Sequence, residues 1–204
     1  MYHLINNHIQ QILQSILPDH VTEYDWLVQN INNVETPDYQ GRYRKYWAIN
    51  VARLSTNYCQ VYFQHLQNGL NGNQPQPGNL ANQLYQIPTH RNGRHSLQFS
   101  FCSKLCHMLN TQMPIYDAMV RDFYFFAEPS RQLNMQQRVN QYIQFYQFLV
   151  SEYNRVLNNN LLCTSIQSFR QQFNPQQFTD QKIIDSLIWA FVSLQRRSRA
   201  VIYC

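Results

Sequence analysis

Apolar positions along this chain recur at helical spacing. Leu4, Ile5, Ile9, Ile12, Leu13 and Ile16 follow an i, i+3/i+4 rhythm up to Leu17-Pro18, which predicts a first amphipathic helix ending there. A short helix is expected around Val21 to Ile31. From Gly41 onward, Tyr43, Trp47, Val51, Leu54, Tyr58 and Val61 fall on one face of a long helix that stops at Asn68-Gly69. Leu80 to Gln86 suits another short helix. Between Ser96 and Phe126 an apolar helix runs into Pro114-Ile115-Tyr116-Asp117, where a second helix is expected to begin. Val139, Ile143, Tyr146, Val150, Tyr153 and Leu157 mark a long helix ending in Asn158-Asn159-Asn160, and another runs from about Leu162 to Phe173. Thr179 or Asp180 is the expected N-cap of the last helix, whose stripe is Ile183, Leu187, Phe191 and Leu194. That helix runs out in Arg196, Arg197 and Arg199, cations suited to its negative end.

No segment of period-two alternation survives comparison with the helical template. The fold expected is therefore all-α, a compact single-domain bundle of about seven to nine helices without internal repeats. The stretch Asn68 to Asn79, rich in Gly and Pro, reads as a surface loop rather than a domain boundary, and Pro88 to His95 as a basic turn around Gly93.

Composition narrows this picture. The chain has 204 residues, enough for one domain to close a core without disulfides or metals. Charged residues make up only 13%, and Gln and Asn, about a quarter of the chain, take their place on a polar rather than ionic surface. The amides are dispersed among Tyr, Phe and Ile, which argues against a low-complexity tract. The formal charge of +5 is carried mostly by Arg, with Lys45, Lys104 and Lys182 the only lysines. Guanidinium groups favour bidentate phosphate contact, so nucleic acid is the leading polyanionic partner. The five cysteines are odd in number and widely spaced, and the first helix is too interrupted by polar residues for a secretory h-region. Free thiols in a reducing, cytoplasmic setting are expected, and no run reaches the ~20 apolar residues of a membrane span.

The candidate chemistry centres on Asp117, a lone carboxylate at a helix junction. The segment Pro114-Ile115-Tyr116-Asp117-Ala118-Met119-Val120, following a helix and a short loop, resembles the catalytic segment of the helix-hairpin-helix DNA glycosylases, particularly the adenine-mismatch enzymes. The likeness covers roughly Asn92 to Phe126. It implies that Asp117 is the catalytic carboxylate, stabilising positive charge at C1′ while orienting or deprotonating a water. Read from the residues alone, the helix-cap role of Asp117 is the favoured one, and the resemblance tips the balance to catalysis. The family's Gly-x-Gly hairpin is represented only by Asn92-Gly93-Arg94, and the position of the strand-cleaving lysine falls on Gln98, with Lys104 closer to the acid. The resemblance therefore implies a monofunctional enzyme that leaves abasic sites without a cofactor.

A glycosylase holds its extruded base between aromatic or apolar faces. Tyr43, Tyr46, Trp47 and His107 are the pocket candidates, with Tyr43 and Trp47 also fitting the apolar stripe and His107 also reading as a core histidine. Arg42, Arg44, Lys45, Arg91, Arg94, His95 and Lys104 are the candidate DNA contacts. Cys102, Cys106 and His107 lie a turn apart, but without a distant ligand pair they read as helix-packing residues rather than a metal site. The segment FCSKLCHMLN…PIYDAMV also resembles small bacterial anti-phage glycosylases. That likeness implies double-stranded phage DNA with modified bases, such as glucosylated hydroxymethylcytosine, as substrate for a monomeric enzyme. The alternative is a helical DNA- or RNA-binding module without catalysis.

Overall fold

The computed structural model describes the backbone of residues 1–202 and the side chains of residues 1–197. Among these residues every regular element is a helix and none is a strand, as the periodicity predicts. The elements are α1 (Tyr2–Asn7), α2 (Ile9–Gln14), α3 (Pro18–Gln29), α4 (Pro37–Tyr46), α5 (Thr56–Leu70) and α6 (Pro77–Tyr85), then α7 (Phe99–Leu109), α8 (Ala118–Phe123), α9 (Met135–Asn158), α10 (Cys163–Phe173) and α11 (Asp180–Ile202). A 3-10 turn at Ile31–Asn33 joins α3 to α4. The count of eleven exceeds the seven to nine expected because two predicted helices are broken. The first divides at His8 (φ −111°, ψ 17°).

The second break matters more. The helix expected to run from Gly41 to Asn68 is two helices, α4 and α5, separated by residues 47–55. Ala48 and Arg53 adopt left-handed backbone conformations (φ 57° and 52°), which a continuing right-handed helix cannot contain. Ser55 then restarts the chain as a side-chain cap on the Tyr58 amide. Val51, expected on the buried stripe, sits in this connection and is 80% exposed.

Local chemistry accounts for the other starts. Pro18, Pro37 and Pro77 occupy the first turns of α3, α4 and α6, where a missing N–H costs nothing. Pro77 thus narrows the expected 68–79 loop, since α5 runs on to Leu70 and α6 begins within the stretch. Asn134 and Gln137 form a reciprocal capping box on α9, and the Thr179 hydroxyl accepts from the Lys182 amide to cap α11. Gly78 lets α6 approach α9, because a Cβ there would run into Ile143.

A long C-terminal helix organises the bundle: α11 packs against α1, α2, α8, α9 and α10, while α7 is held between α5 and α6. Ile183, Ile184, Leu187 and Ile188 of α11 are completely buried. Arg196, rather than serving its own helix end, forms an ion pair with Asp122 of α8; Arg197 is exposed, and the Arg199 side chain lies outside the described residues.

Candidate functional site

The junction around Pro114 is built from the preceding helix. α7 ends at Asn110 in extended conformation, and the chain then crosses back over it. The Ser103 hydroxyl accepts from the Tyr116 amide (3.0 Å) and lies 3.1 Å from the Tyr116 carbonyl, so this backbone is tied to a side chain instead of entering a helix. Tyr146 donates its hydroxyl to the Pro114 carbonyl at 2.9 Å. The helix therefore starts at Ala118 rather than near Ile115, and Asp117 is its N-cap. Asp117 Oδ1 accepts from the amides of Met119 (2.8 Å) and Val120 (2.9 Å). Both bonds fall on one oxygen, so the carboxylate is oriented while Oδ2 remains for other partners.

The charge of Asp117 acts on an ionic cluster where α3, α4, α7 and α11 meet. Lys182 Nζ lies 3.2 Å from Asp185 Oδ2, with both side chains buried. Four aromatic rings stand within 6.0 Å of that ammonium: Tyr24 at 5.1 Å, Trp47 at 5.2 Å, Tyr46 at 5.9 Å and Phe178 at 6.0 Å. Ring faces attract a cation, which offsets part of the cost of removing it from water. Burial pushes the Asp185 carboxyl up to about 6 against the pull of Lys182, and the charge of Asp117 adds to the rise. Lys104 points inward too, its Nζ 3.4 Å from the Trp47 carbonyl and 5.1 Å from the centre of the Phe101 ring. Burial holds its ammonium below the usual lysine range, while Asp117 and Asp185 pull it back.

The histidines of this region are neutral. His107 donates from Nδ1 to the Met113 carbonyl (2.7 Å), which leaves Nε2 to accept from the Tyr24 hydroxyl (2.7 Å). Burial and the nearby Lys182 charge push it down to about 3. His20 stacks on Tyr46 with ring centres 4.4 Å apart and is pushed down to about 4 by the same two causes. Three polar atoms of the cluster, Tyr46 OH, Trp47 Nε1 and Asp185 Oδ1, are buried without a hydrogen-bond partner. Such atoms are uncommon in folded proteins and single out this cluster.

The other sequence-predicted residues are divided between core, cluster and surface. Tyr43 is a core residue, its hydroxyl 2.9 Å from that of Tyr62. Tyr46 and Trp47 wall the cluster together, their rings edge to face at 4.7 Å. Arg42 is committed elsewhere: it makes two bonds to Glu23 (2.7 and 2.6 Å) and lies over Trp26 at 3.6 Å. Lys45 is exposed, and His95 donates from Nδ1 to the Tyr85 carbonyl at 2.7 Å. Arg44, Arg91 and Arg94 converge on an open groove of about 1360 Å³, which Asp117, Lys104, Tyr46 and Trp47 do not line. Cys102 and Cys106 are buried free thiols, and among the described residues no group of three or more His, Cys, Asp or Glu could hold a metal ion.

Sequence reading passed over Tyr24, His20, Lys182 and Asp185. The last two carried a signal: a lysine and an aspartate one turn apart interrupt the apolar face of α11, in a chain with three lysines in all. Tyr24 and His20 carried none, since only the packing of α3 against α4 directs them here. No known protein family, no curated protein and no solved structure matches this chain.

Proposed function

We propose that this protein is a monofunctional DNA glycosylase, hydrolysing the N-glycosidic bond of a modified base with Asp117 as the catalytic carboxylate. The observation that carries this reading is the double amide clamp on Asp117 Oδ1, which orients an acid whose charge is felt by half-buried Lys104 and buried Asp185. In the proposed reaction a water attacks C1′, the bond from C1′ to the base nitrogen breaks with its electron pair leaving on the base, and Asp117 stabilises the cationic sugar and takes the water's proton. The partnerless Tyr46 hydroxyl and Trp47 indole N–H suit the reading of a base edge between aromatic faces. Glucosylated hydroxymethylcytosine in phage DNA is the substrate proposed to be tried first.

Asn caps a helix as well as Asp does, so Asp117→Asn removes the charge and keeps the clamp. Duplexes carrying damaged, mismatched or glucosylated bases are treated with wild type and variant, and released base and alkali-labile sites are measured. Wild type is expected to release base from at least one duplex, and the variant from none. Equal yields from the two proteins would reject the assignment of Asp117. A second reading, a nucleic-acid-binding module without catalysis, is favoured by the separation of the large basic groove from Asp117; absence of base release together with retained DNA binding would select it.

A further inference from the structure

We infer that the groove between α4, the start of α5 and the 88–95 turn is a binding track for the phosphodiester backbone of DNA, with Arg53 and His90 as members beside Arg44, Arg91 and Arg94. This deepens the DNA reading above but does not depend on its chemistry. Four arginines and a histidine line the groove against one carboxylate, Glu35. In a chain only 13% charged, that concentration is uneven. Arg42, Arg121, Arg155, Arg170 and Arg196 are each held by a carboxylate, whereas none of the four groove arginines forms an ion pair among the described residues.

The groove is also rigidly built. The amides of Thr89 and His90 both donate to the Arg94 carbonyl (2.9 and 3.1 Å), and Gly93, at φ 78°, closes the turn through its amide to the His90 carbonyl. The completely buried Thr89 pins the turn from inside, exchanging bonds with Ser96 through its hydroxyl. Ser55 docks it on α5, its amide donating to the Thr89 carbonyl (2.7 Å) and its hydroxyl to the Pro88 carbonyl (2.7 Å). The left-handed conformation at Arg53 turns the chain from α4 towards α5 in the same wall. Thr56, in the first turn of α5, brings the positive end of a fifteen-residue helix to the groove.

The lining selects the occupant. Its volume exceeds the ~300–1,000 Å³ of small-molecule pockets. The amides of Gln60, Gln64, Gln67 and Asn92 supply both donors and acceptors, as sugar and phosphate contacts need, and Arg forks match phosphate oxygens. No Tyr or Trp lines the groove and Phe63 is buried, so apart from the single imidazole of His90 it offers no aromatic platform on which a run of single-stranded bases could stack. Backbone contact to a duplex is what remains.

The test is fluorescence anisotropy of a labelled duplex against full-length Arg53→Asn, Arg94→Ala and the double variant, over a salt series, with folding checked by circular dichroism. Asn tolerates the left-handed conformation at position 53. Each single variant is expected to weaken binding several-fold and the double variant at least tenfold, with the logarithmic salt slope shallower by about 0.9 for each phosphate no longer neutralised. Arg131→Ala, which changes an exposed arginine outside the groove, is expected to bind like wild type. Unchanged affinity and slope in the folded double variant would overturn the proposal. So would tighter binding of a labelled single strand than of the duplex in the same assay. None of these outcomes bears on base release, which tests Asp117 separately.

Discussion

Lys182 and Asp185 form a 3.2 Å ion pair one turn apart on α11, in a position withdrawn from solvent and walled by Tyr24, Tyr46, Trp47 and Phe178. Their attraction has to offset the desolvation of two charges, so the pair is poor at stabilising the fold and costly to break singly. Lys182→Met and Asp185→Leu are each expected to lower unfolding free energy by about 3–5 kcal/mol, because each strands a buried charge. The joint Lys182→Met/Asp185→Leu replacement is expected to be neutral or up to about 4 kcal/mol more stable. Urea denaturation of the four proteins checks this, and a double variant as unstable as the sum of the singles would show that the charges are not coupled.

Buried His107 and half-buried His20 set the acid limb of stability. His20 and His107 have folded values lowered from 6.5, to about 4 and about 3, so the unfolded chain binds their protons first. Their contribution is complete above pH 6.5 and drains away as pH falls through those values. Asp185 works the other way: its value is raised from 3.8 to about 6, so its contribution is complete below 3.8 and is lost as pH rises through 6. Two opposing histidines outweigh one carboxyl, and thermal stability is expected to fall between pH 6.5 and 4. His20→Phe keeps the stack on Tyr46 without the titration and should flatten that fall; a melting profile parallel to wild type would contradict the assignment.

The two roles of Asp117 separate by substitution. Asp117→Ala loses the bonds to Met119 and Val120 and is expected to destabilise by ~1 kcal/mol, within the ordinary range for an N-cap, whereas Asp117→Asn should unfold at nearly the wild-type urea concentration. Any activity lost equally in both variants then belongs to the charge, and activity lost only in the alanine variant belongs to the cap.

Close helix approach at Gly78 is open to the same kind of measurement. Ala at this position gains up to ~1 kcal/mol of helix propensity but drives a methyl group into Ile143, an overpacking cost of about 1–3 kcal/mol. Gly78→Ala is expected to be net destabilising in urea, and Ile143→Ala in the same chain should recover part of the loss. Simple addition of the two single effects would show that the methyl group finds room elsewhere.

Periodicity made most helices legible because a face packed on a core must repeat at 3.6 residues, and α9, α10 and α11 lie where their stripes predict. The same signal misled between Trp47 and Ser55. Val51 and Leu54 fit the stripe by spacing, yet Ala48 and Arg53 turn the backbone left-handed, a conformation that neither residue advertises. Pro114 misled by a shorter route: its ring suits a first helical turn, but Ser103, thirteen residues before Tyr116 in sequence, binds that backbone first.

By itself the chain determined an all-helical fold, the ends marked by Pro, Ser, Thr and Asn, and the presence of Asp117 at a helix start, because periodicity and capping are local properties of sequence. Only the tertiary structure decided which charges meet. Lys104, Asp117, Lys182 and Asp185 come from two helices and a cap, and Arg44 and Arg53 line one groove with Arg91 and Arg94, because packing of distant segments sets burial and distance, and these govern the electrostatics.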